Sequence, residues 1–243
     1  MTQASRLLAE QPHPSIAAIA TAAGVSKTTF YRVFPSRADL LQALKVEPKP
    51  ESRQRVLEAA VTLLRTHSLA DLSMDELAER ARISRANLYR LYPGKPALFR
   101  AILLAYSPFA PVMALLTRMG DRPAQELIPE LVATAYGTAA GRAGIVRTLL
   151  FEATSMSPEI QQVFRDTALR VFAMIGQILA RDMSAGRLRR MHPMLAIESL
   201  VGPVMILVLG GPLLGAAIPD APSGQAAAME LAAHWLRAMA PET

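Results

Sequence analysis

Ser15-Ile-Ala-Ala-Ile-Ala-Thr-Ala-Ala-Gly-Val-Ser-Lys-Thr-Thr-Phe-Tyr-Arg-Val-Phe-Pro35 is echoed 58 residues later by Ser73-Met-Asp-Glu-Leu-Ala-Glu-Arg-Ala-Arg-Ile-Ser-Arg-Ala-Asn-Leu-Tyr-Arg-Leu-Tyr-Pro93. Seven positions are identical: Ser15/Ser73, Ala20/Ala78, Ala23/Ala81, Ser26/Ser84, Tyr31/Tyr89, Arg32/Arg90 and Pro35/Pro93. Mild exchanges such as Ile19/Leu77, Val25/Ile83 and Phe30/Leu88 fill the gaps. Two copies are too few for a solenoid, so the pattern is a duplicated module. Each copy reads as helix, tight turn, helix. Ser15 and Ser73 sit where an N-cap is wanted, and Ser26 and Ser84 cap the second helix. Ile16, Ile19 and Ala20 form an apolar stripe that Met74, Leu77 and Ala78 repeat. The turn holds Gly24 in one copy and Arg82 in the other. A left-handed conformation there suits glycine and costs arginine about 1 kcal/mol. Pro35 and Pro93 end the second helix, since proline cannot continue the hydrogen-bond ladder.

Around this nucleus the chain is helical throughout. A helix from Arg53 to His67 precedes the second copy, with Val56, Leu57, Ala60, Leu63 and Leu64 at helical spacing. Only Ala4–Glu10 stands in that place in the first copy, so its first helix reads as truncated. After Pro93 a helix from about Ala97 leads towards Tyr106. Further helices are expected near Phe109–Met119, Ala124–Ala140, Gly144–Thr154, Pro158–Ser184, Met194–Leu209 and Gln225–Met239. Breaks are expected at Gly120–Pro123, Ser157-Pro158, Gly186, His192-Pro193 and Gly210-Gly211-Pro212. No strand-like alternation of useful length appears. The fold class is all-α, divided into modules 1–46 and 53–103, a linker 47–52 and a helical body 104–243.

Composition narrows the function. The 243 residues contain no cysteine, which removes disulfides, thiolate metal sites and cysteine nucleophiles. The start, MTQASRLLAEQ, lacks the basic and apolar regions of a signal peptide, so a cytoplasmic location is expected. Residues 1–106 hold 15 Lys/Arg against 9 Asp/Glu, and residues 107–243 hold 11 against 11. The whole net charge of +6 therefore lies in the modules. A basic head on a neutral body is suited to a polyanion. Four histidines fall at no metal-ligand spacing, and neither phosphate-loop glycines nor a nucleophile elbow occur. No enzymatic activity, metal or cofactor is expected.

In a helix-turn-helix the second helix enters the major groove of DNA. At 100° per residue, Phe30, Val33 and Phe34 share the inner face of that helix, with Leu88, Leu91 and Tyr92 as their counterparts. The outer ridge is Thr28 and Arg32 flanked by Thr29 and Tyr31 in copy one. In copy two it is Ala86 and Arg90 flanked by Asn87 and Tyr89. Arginine suits guanine and asparagine suits adenine, while Lys27, Arg37, Arg85 and Lys95 are placed to clamp phosphates.

The runs Ala23–Leu40 and Ile83–Leu98 resemble the signature of the tetracycline-repressor (TetR) family, with turn, tyrosine, aromatic, basic residue and leucine in register. The resemblance covers about residues 4–44 and 53–103. It implies an all-helical homodimer that binds a palindromic double-stranded operator, usually as a repressor, and releases it when a small molecule binds. It also implies DNA-facing roles for Ser15, Lys27, Thr28, Thr29, Tyr31 and Arg37, and for Ser73, Arg85, Ala86, Asn87, Tyr89 and Lys95. The family normally carries one head, and copy two has Arg82 at the usual glycine.

For the body, the resemblance implies dimerisation through about 194–209 and 225–239. Independently, the helix carrying Leu195, Leu200, Val204, Ile206 and Leu207 is too apolar for a monomer surface. The uncharged stretch Ser199–Pro219 is about long enough to cross a bilayer, but glycine and proline interrupt it, so no membrane partner is expected. Ten of twelve methionines follow residue 106. Met113, Met119, Phe151, Met156, Phe172 and Met174 are candidates to line a pocket for a small apolar effector. The competing possibility is a protein-interaction or membrane-associated helical module that no longer reads DNA.

Overall fold

The computed structural model describes residues 16–22, 24–26, 28–29, 50–155, 157–218 and 222–241. Eleven helices and no strand occur among them. They are α1 (Ile16–Ala22), α2 (Pro50–Leu63), α3 (Met74–Arg80), α4 (Arg85–Leu91), α5 (Lys95–Tyr106) and α6 (Phe109–Met119). The series continues with α7 (Ala124–Ala140), α8 (Ala143–Ser155), α9 (Pro158–Ser184), α10 (Pro193–Ala217) and α11 (Gly224–Ala238). The chain divides into two compact units. One comprises the described residues up to Glu58 together with Met74–Pro93; the other comprises Ala59–Ser73 with Gly94 onwards. These divisions fall at other points than 46, 52 and 103, because α2 is shared between the units and α5 packs with α9.

In the first unit the two turns are built as the sequence suggests. Gly24 and Arg82 have φ of +69° and +54°. Arg82 is the one non-glycine with positive φ among the described residues. The turn survives the arginine because its backbone bonds close around it: Arg82 N donates to Glu79 O and Ile83 N to Ala78 O, each at 3.0 Å. Below the turn, Leu77, Ala78, Ala81, Leu88, Leu91 and Tyr92 are buried.

The second unit is a helical body with one large core. Val112, Leu115 and Leu116 of α6 meet Leu127, Ile128 and Leu131 of α7, Val171, Ile175 and Leu179 of α9, and Ala196, Ile197 and Leu200 of α10. A polar clasp holds one end. Asp182 is fully buried and accepts from Ala124 N at 2.6 Å, Arg187 Nη2 at 2.6 Å and Arg181 Nε at 3.1 Å. It thereby satisfies the first orphan N–H of α7, which Pro123 has no side chain to cap. Burial pushes the Asp182 carboxyl up, but the Arg187, Ala124 and Arg181 hydrogen bonds outweigh it, leaving the pKa below the ordinary carboxylate range. Elsewhere Trp235 Nε1 donates to Ala196 O at 3.1 Å and Ser199 Oγ at 3.0 Å, fixing α11 against α10.

The expected helices at 109–119, 124–140 and 158–184 have those same bounds in the structure. Two expectations need correction. The helix from Arg53 starts at Pro50 and gives way to turns after Leu63. The helix at 194–209 does not break at Gly210-Gly211-Pro212 but runs to Ala217. A proline inside a helix costs roughly 3 kcal/mol. Ala196, Ile197, Leu200, Val204 and Val208 bury one side of the helix before that point. The stretch Pro193–Gly211 is long and apolar enough to cross a membrane by length and composition alone. Within the body, 28% of its most apolar window is buried. In the single chain Leu195 and Ile206 remain 53% and 65% exposed.

Candidate functional site

The second module presents α4 on a capped, short turn. Ser84 Oγ accepts from Asn87 N at 3.2 Å, so the helix start is fixed by its own sequence. Leu88 and Leu91 anchor the helix inward. Ala86 is exposed and Tyr89 is 44% exposed, so both stand on the outer ridge. Arg90 differs from the simple wheel. It is only half exposed, because its guanidinium folds back one turn and donates from Nη2 to Asn87 Oδ1 at 2.8 Å. Its Nε is buried with no hydrogen-bond partner, and burial lowers its pKa from the usual guanidinium value. Asn87 and Arg90 therefore form one hydrogen-bonded pair. Asn87 keeps its amide nitrogen and a second lone pair on Oδ1 for a further partner.

The flanking cations are placed differently. Arg85 Nε pairs with Asp75 Oδ1 at 2.5 Å, but both side chains are more than half exposed, so the pair is weak and easily exchanged. In the second unit, Lys95 Nζ donates to Ala70 O. Its ammonium thus ties the start of α5 to the loop before α3. Ser73 is exposed. In the first copy, Thr28 is exposed and Thr29 is half-buried, its N–H donating to Ser26 Oγ at 3.1 Å. Ser15, Lys27, Tyr31, Arg32 and Arg37 lie outside the described residues, as does Met156.

Within the body lies a cavity of about 220 Å³. Leu103 and Phe109 close one side, Leu131, Val132 and Ala135 of α7 another, and Val146, Leu149 and Leu150 of α8 a third. Phe164, Ala168, Val171, Phe172 and Ile175 of α9 face Leu200, Val201, Val204, Met205 and Val208 of α10 across it. Phe109 and Phe164 meet edge to face, with centroids 5.8 Å apart. Among the described residues Ser107 is the one hydroxyl in this wall. It already donates to Leu103 O at 2.5 Å and accepts from Phe109 N at 3.3 Å. An apolar pocket of this volume has room for a small apolar guest; about 150 Å³ suffices for benzene.

Of the described residues named from sequence, Phe172 alone lines this cavity. Met113, Met119 and Met174 pack against the main core instead. Phe151 is 64% exposed and borders a separate cleft with His67, Arg147 and Glu152. Glu152 itself is buried, and its Oε1 accepts from Leu69 N at 3.1 Å. It stands one turn beyond Leu149 on α8, so one helix carries both a cavity wall and a grip on the loop between α2 and α3. Sequence inspection passed over Phe164 and Val171, although Phe164, Ala168, Val171, Phe172 and Ile175 recur at helical spacing. Among the described residues no group of three or more potential metal ligands occurs.

Residues 1–44 and 56–102 match the family model described as bacterial regulatory proteins, tetR family. No curated protein matches the sequence. NalD of Pseudomonas aeruginosa, the secondary repressor of the MexAB-OprM multidrug efflux pump, is similar in structure with a TM-score of 0.60 at 20% identity, over 80% of this chain and 98% of that one. FadR of Bacillus subtilis, solved in complex with stearoyl-CoA, gives a TM-score of 0.56 at 14% identity, over 76% and 95%. A Clostridium perfringens putative fatty acid metabolism regulator gives 0.60 at 15% identity, over 77% and 100%. At these identities the likeness is one of fold.

Proposed function

We propose that this chain is a DNA-binding transcriptional regulator of the tetR type, which represses transcription from an operator and is released by a small, uncharged, apolar effector. The observation that carries the effector reading is the cavity. Among the described residues that line it, the one hydroxyl is committed to the backbone and none is charged. A charged ligand would lose its hydration there with nothing in return. An alkyl or aromatic guest would bury apolar surface at roughly 25 cal/mol per Å². The fold relatives fit this reading. NalD is described as a repressor, and the acyl part of the stearoyl-CoA bound by FadR has the chemistry this cavity accepts.

DNA contact is assigned to α4, with Asn87 and Arg90 over base edges, Ala86 and Tyr89 beside them, and Ser73, Arg85 and Lys95 on the backbone. The protein acts as a dimer, and α10 with α11 supplies the pairing surface: Leu195 and Ile206 stay exposed on a helix that is otherwise as apolar as a core. A two-fold dimer implies an inverted-repeat operator with half-sites about 34–36 Å apart or a multiple of that. A cytoplasmic location fits a protein that works on such an operator.

The test uses the full-length protein and duplexes from its own upstream region, titrated with the uncharged fluorescent probe N-phenyl-1-naphthylamine. The expected result is probe uptake at about one per chain and loss of bound DNA as the probe saturates. Probe uptake with unchanged DNA affinity would sink the effector reading while leaving DNA binding intact.

A further inference from the structure

We infer that the cleft between residues 65–68 and α8 is a second ligand site, separate from the apolar cavity, and that it takes a flat aromatic carboxylate. The cleft has a volume of about 320 Å³ and lies wholly within the second unit. Helix α8 divides the two sites. At 100° per residue, Val146, Leu149 and Leu150 share one face and line the cavity. Arg147, Thr148, Phe151 and Glu152 share the other face and line the cleft. The cleft site is independent of the effector reading, since the two walls have no residue in common.

The hydrogen-bonding capacity left in the cleft is one-sided. Thr66 Oγ1 donates to Leu63 O at 3.3 Å, Ser68 Oγ to Asp71 Oδ2 at 2.6 Å and Thr148 Oγ1 to Gly144 O at 3.1 Å. A hydroxyl has a single proton, so all three are spent. Thr66 Oγ1 also lies 3.0 Å from His67 Nδ1, and the ring nitrogen is therefore the donor in that contact. Glu152 is buried, and its Oε1 accepts from Leu69 N at 3.1 Å. Against this one carboxylate stand the exposed Arg65 and Arg147. Among the described residues neither guanidinium has a hydrogen bond or an ion pair. The unspent groups are thus two forks of N–H donors, and a carboxylate meets such a fork with two parallel, charge-assisted bonds. Phe151, 64% exposed, adds an apolar ring at the edge of the same cleft. Aromatic rings pack on one another offset or edge to face, so a ring attached to the carboxylate has a surface to cover. The cavity on the far side of α8 has the opposite chemistry, since nothing in its wall offsets the lost hydration of an anion.

Equilibrium dialysis of the full-length protein against sodium 1-naphthoate at fixed ionic strength tests this. The expected result is one naphthoate per chain. Its affinity should exceed by about tenfold that of 1-naphthamide, which has the ring without the charge, and that of inorganic phosphate, which has the charge without the ring. Arg65→Gln and Arg147→Gln should each weaken naphthoate binding about tenfold. Because both side chains are exposed, the urea midpoint and the uptake of N-phenyl-1-naphthylamine should stay as in the wild type. Ala135→Phe, which fills the cavity, should leave naphthoate binding intact. Naphthoate binding lost in Ala135→Phe but kept in both arginine variants would place the anion in the cavity and overturn the inference. Equal affinity for naphthoate and 1-naphthamide would overturn it too, as would phosphate binding as tightly as naphthoate, or no uptake at about 1 mM naphthoate. None of these outcomes bears on release of DNA by an apolar effector, which the naphthylamine titration reads separately.

Discussion

Removing Asn87 or Arg90 tests whether the two act as one reading unit on α4. Arg90 Nη2 donates to Asn87 Oδ1 at 2.8 Å, and the Arg90 Nε is shielded without a partner. A well-formed contact between asparagine and adenine contributes about 1–3 kcal/mol of discrimination, which is roughly 5- to 150-fold in affinity. Asn87→Ala is therefore expected to weaken operator binding by about 2 kcal/mol and to relax selectivity at one base pair, with no change in salt slope. Arg90→Ala removes the group that holds the Asn87 carbonyl in place. It should cost a similar amount in the wild type but clearly less in the Asn87→Ala background, giving a coupling of about 1 kcal/mol. Fluorescence anisotropy on a labelled operator at three or four salt concentrations reads all four corners of the cycle. If the two single losses add to within about 0.5 kcal/mol, the residues are independent and the unit described here does not exist. A drop of about one in the salt slope for Arg90→Ala alone would reassign Arg90 to a phosphate.

Other expectations can be checked on the folded protein. Ala135→Phe, which fills the cavity, should abolish uptake of the naphthylamine probe while operator affinity without probe stays within about twofold. Asp182→Asn should lower stability by about 2–3 kcal/mol in urea unfolding, because three hydrogen bonds converge on that buried carboxylate. Because the folded pKa of Asp182 is depressed, its contribution is complete above the ordinary carboxylate pKa of about 4 and is lost as pH falls through the lower folded value, so the deficit of Asp182→Asn should shrink only in strong acid. Glu152→Ala leaves Leu69 N without its acceptor and should cost about 1–2 kcal/mol in the same assay, and it should also blunt release of DNA by the probe. Arg82→Gly relieves the left-handed turn and should raise stability by about 0.5–1 kcal/mol, read as a higher urea midpoint with unchanged slope.

Much of the frame is written locally, and those parts were legible. Gly120–Pro123 and Ser157-Pro158 punctuate the body so sharply that α6, α7 and α9 could be bounded from sequence. The turn at Arg82 follows from its register with Gly24. Arg90 was harder. A helical wheel places it outward, and only the position of Asn87 one turn back shows why its guanidinium lies half-buried. The cavity was least legible, since its wall joins residues as far apart as Leu103, Val146, Phe164 and Val208. Methionine content drew attention to Met113, Met119 and Met174, which pack into the continuous core. The branched and aromatic faces of α9 and α10 make the actual lining, and no short-range signal separates a wall from a filled core. Helix α10 likewise hid its length, because glycine and proline at 210–212 break a helix by local rules, whereas this one runs on to Ala217.

The central claim is that α4 and its basic surroundings bind duplex DNA in a defined register. Affinity of the purified protein for its own upstream region, measured across a salt series against a scrambled duplex, tests it most directly. The account predicts a log–log salt dependence with a slope of several units and a preference for the upstream duplex of about a thousandfold or more. Binding that ignores both salt and sequence would contradict it.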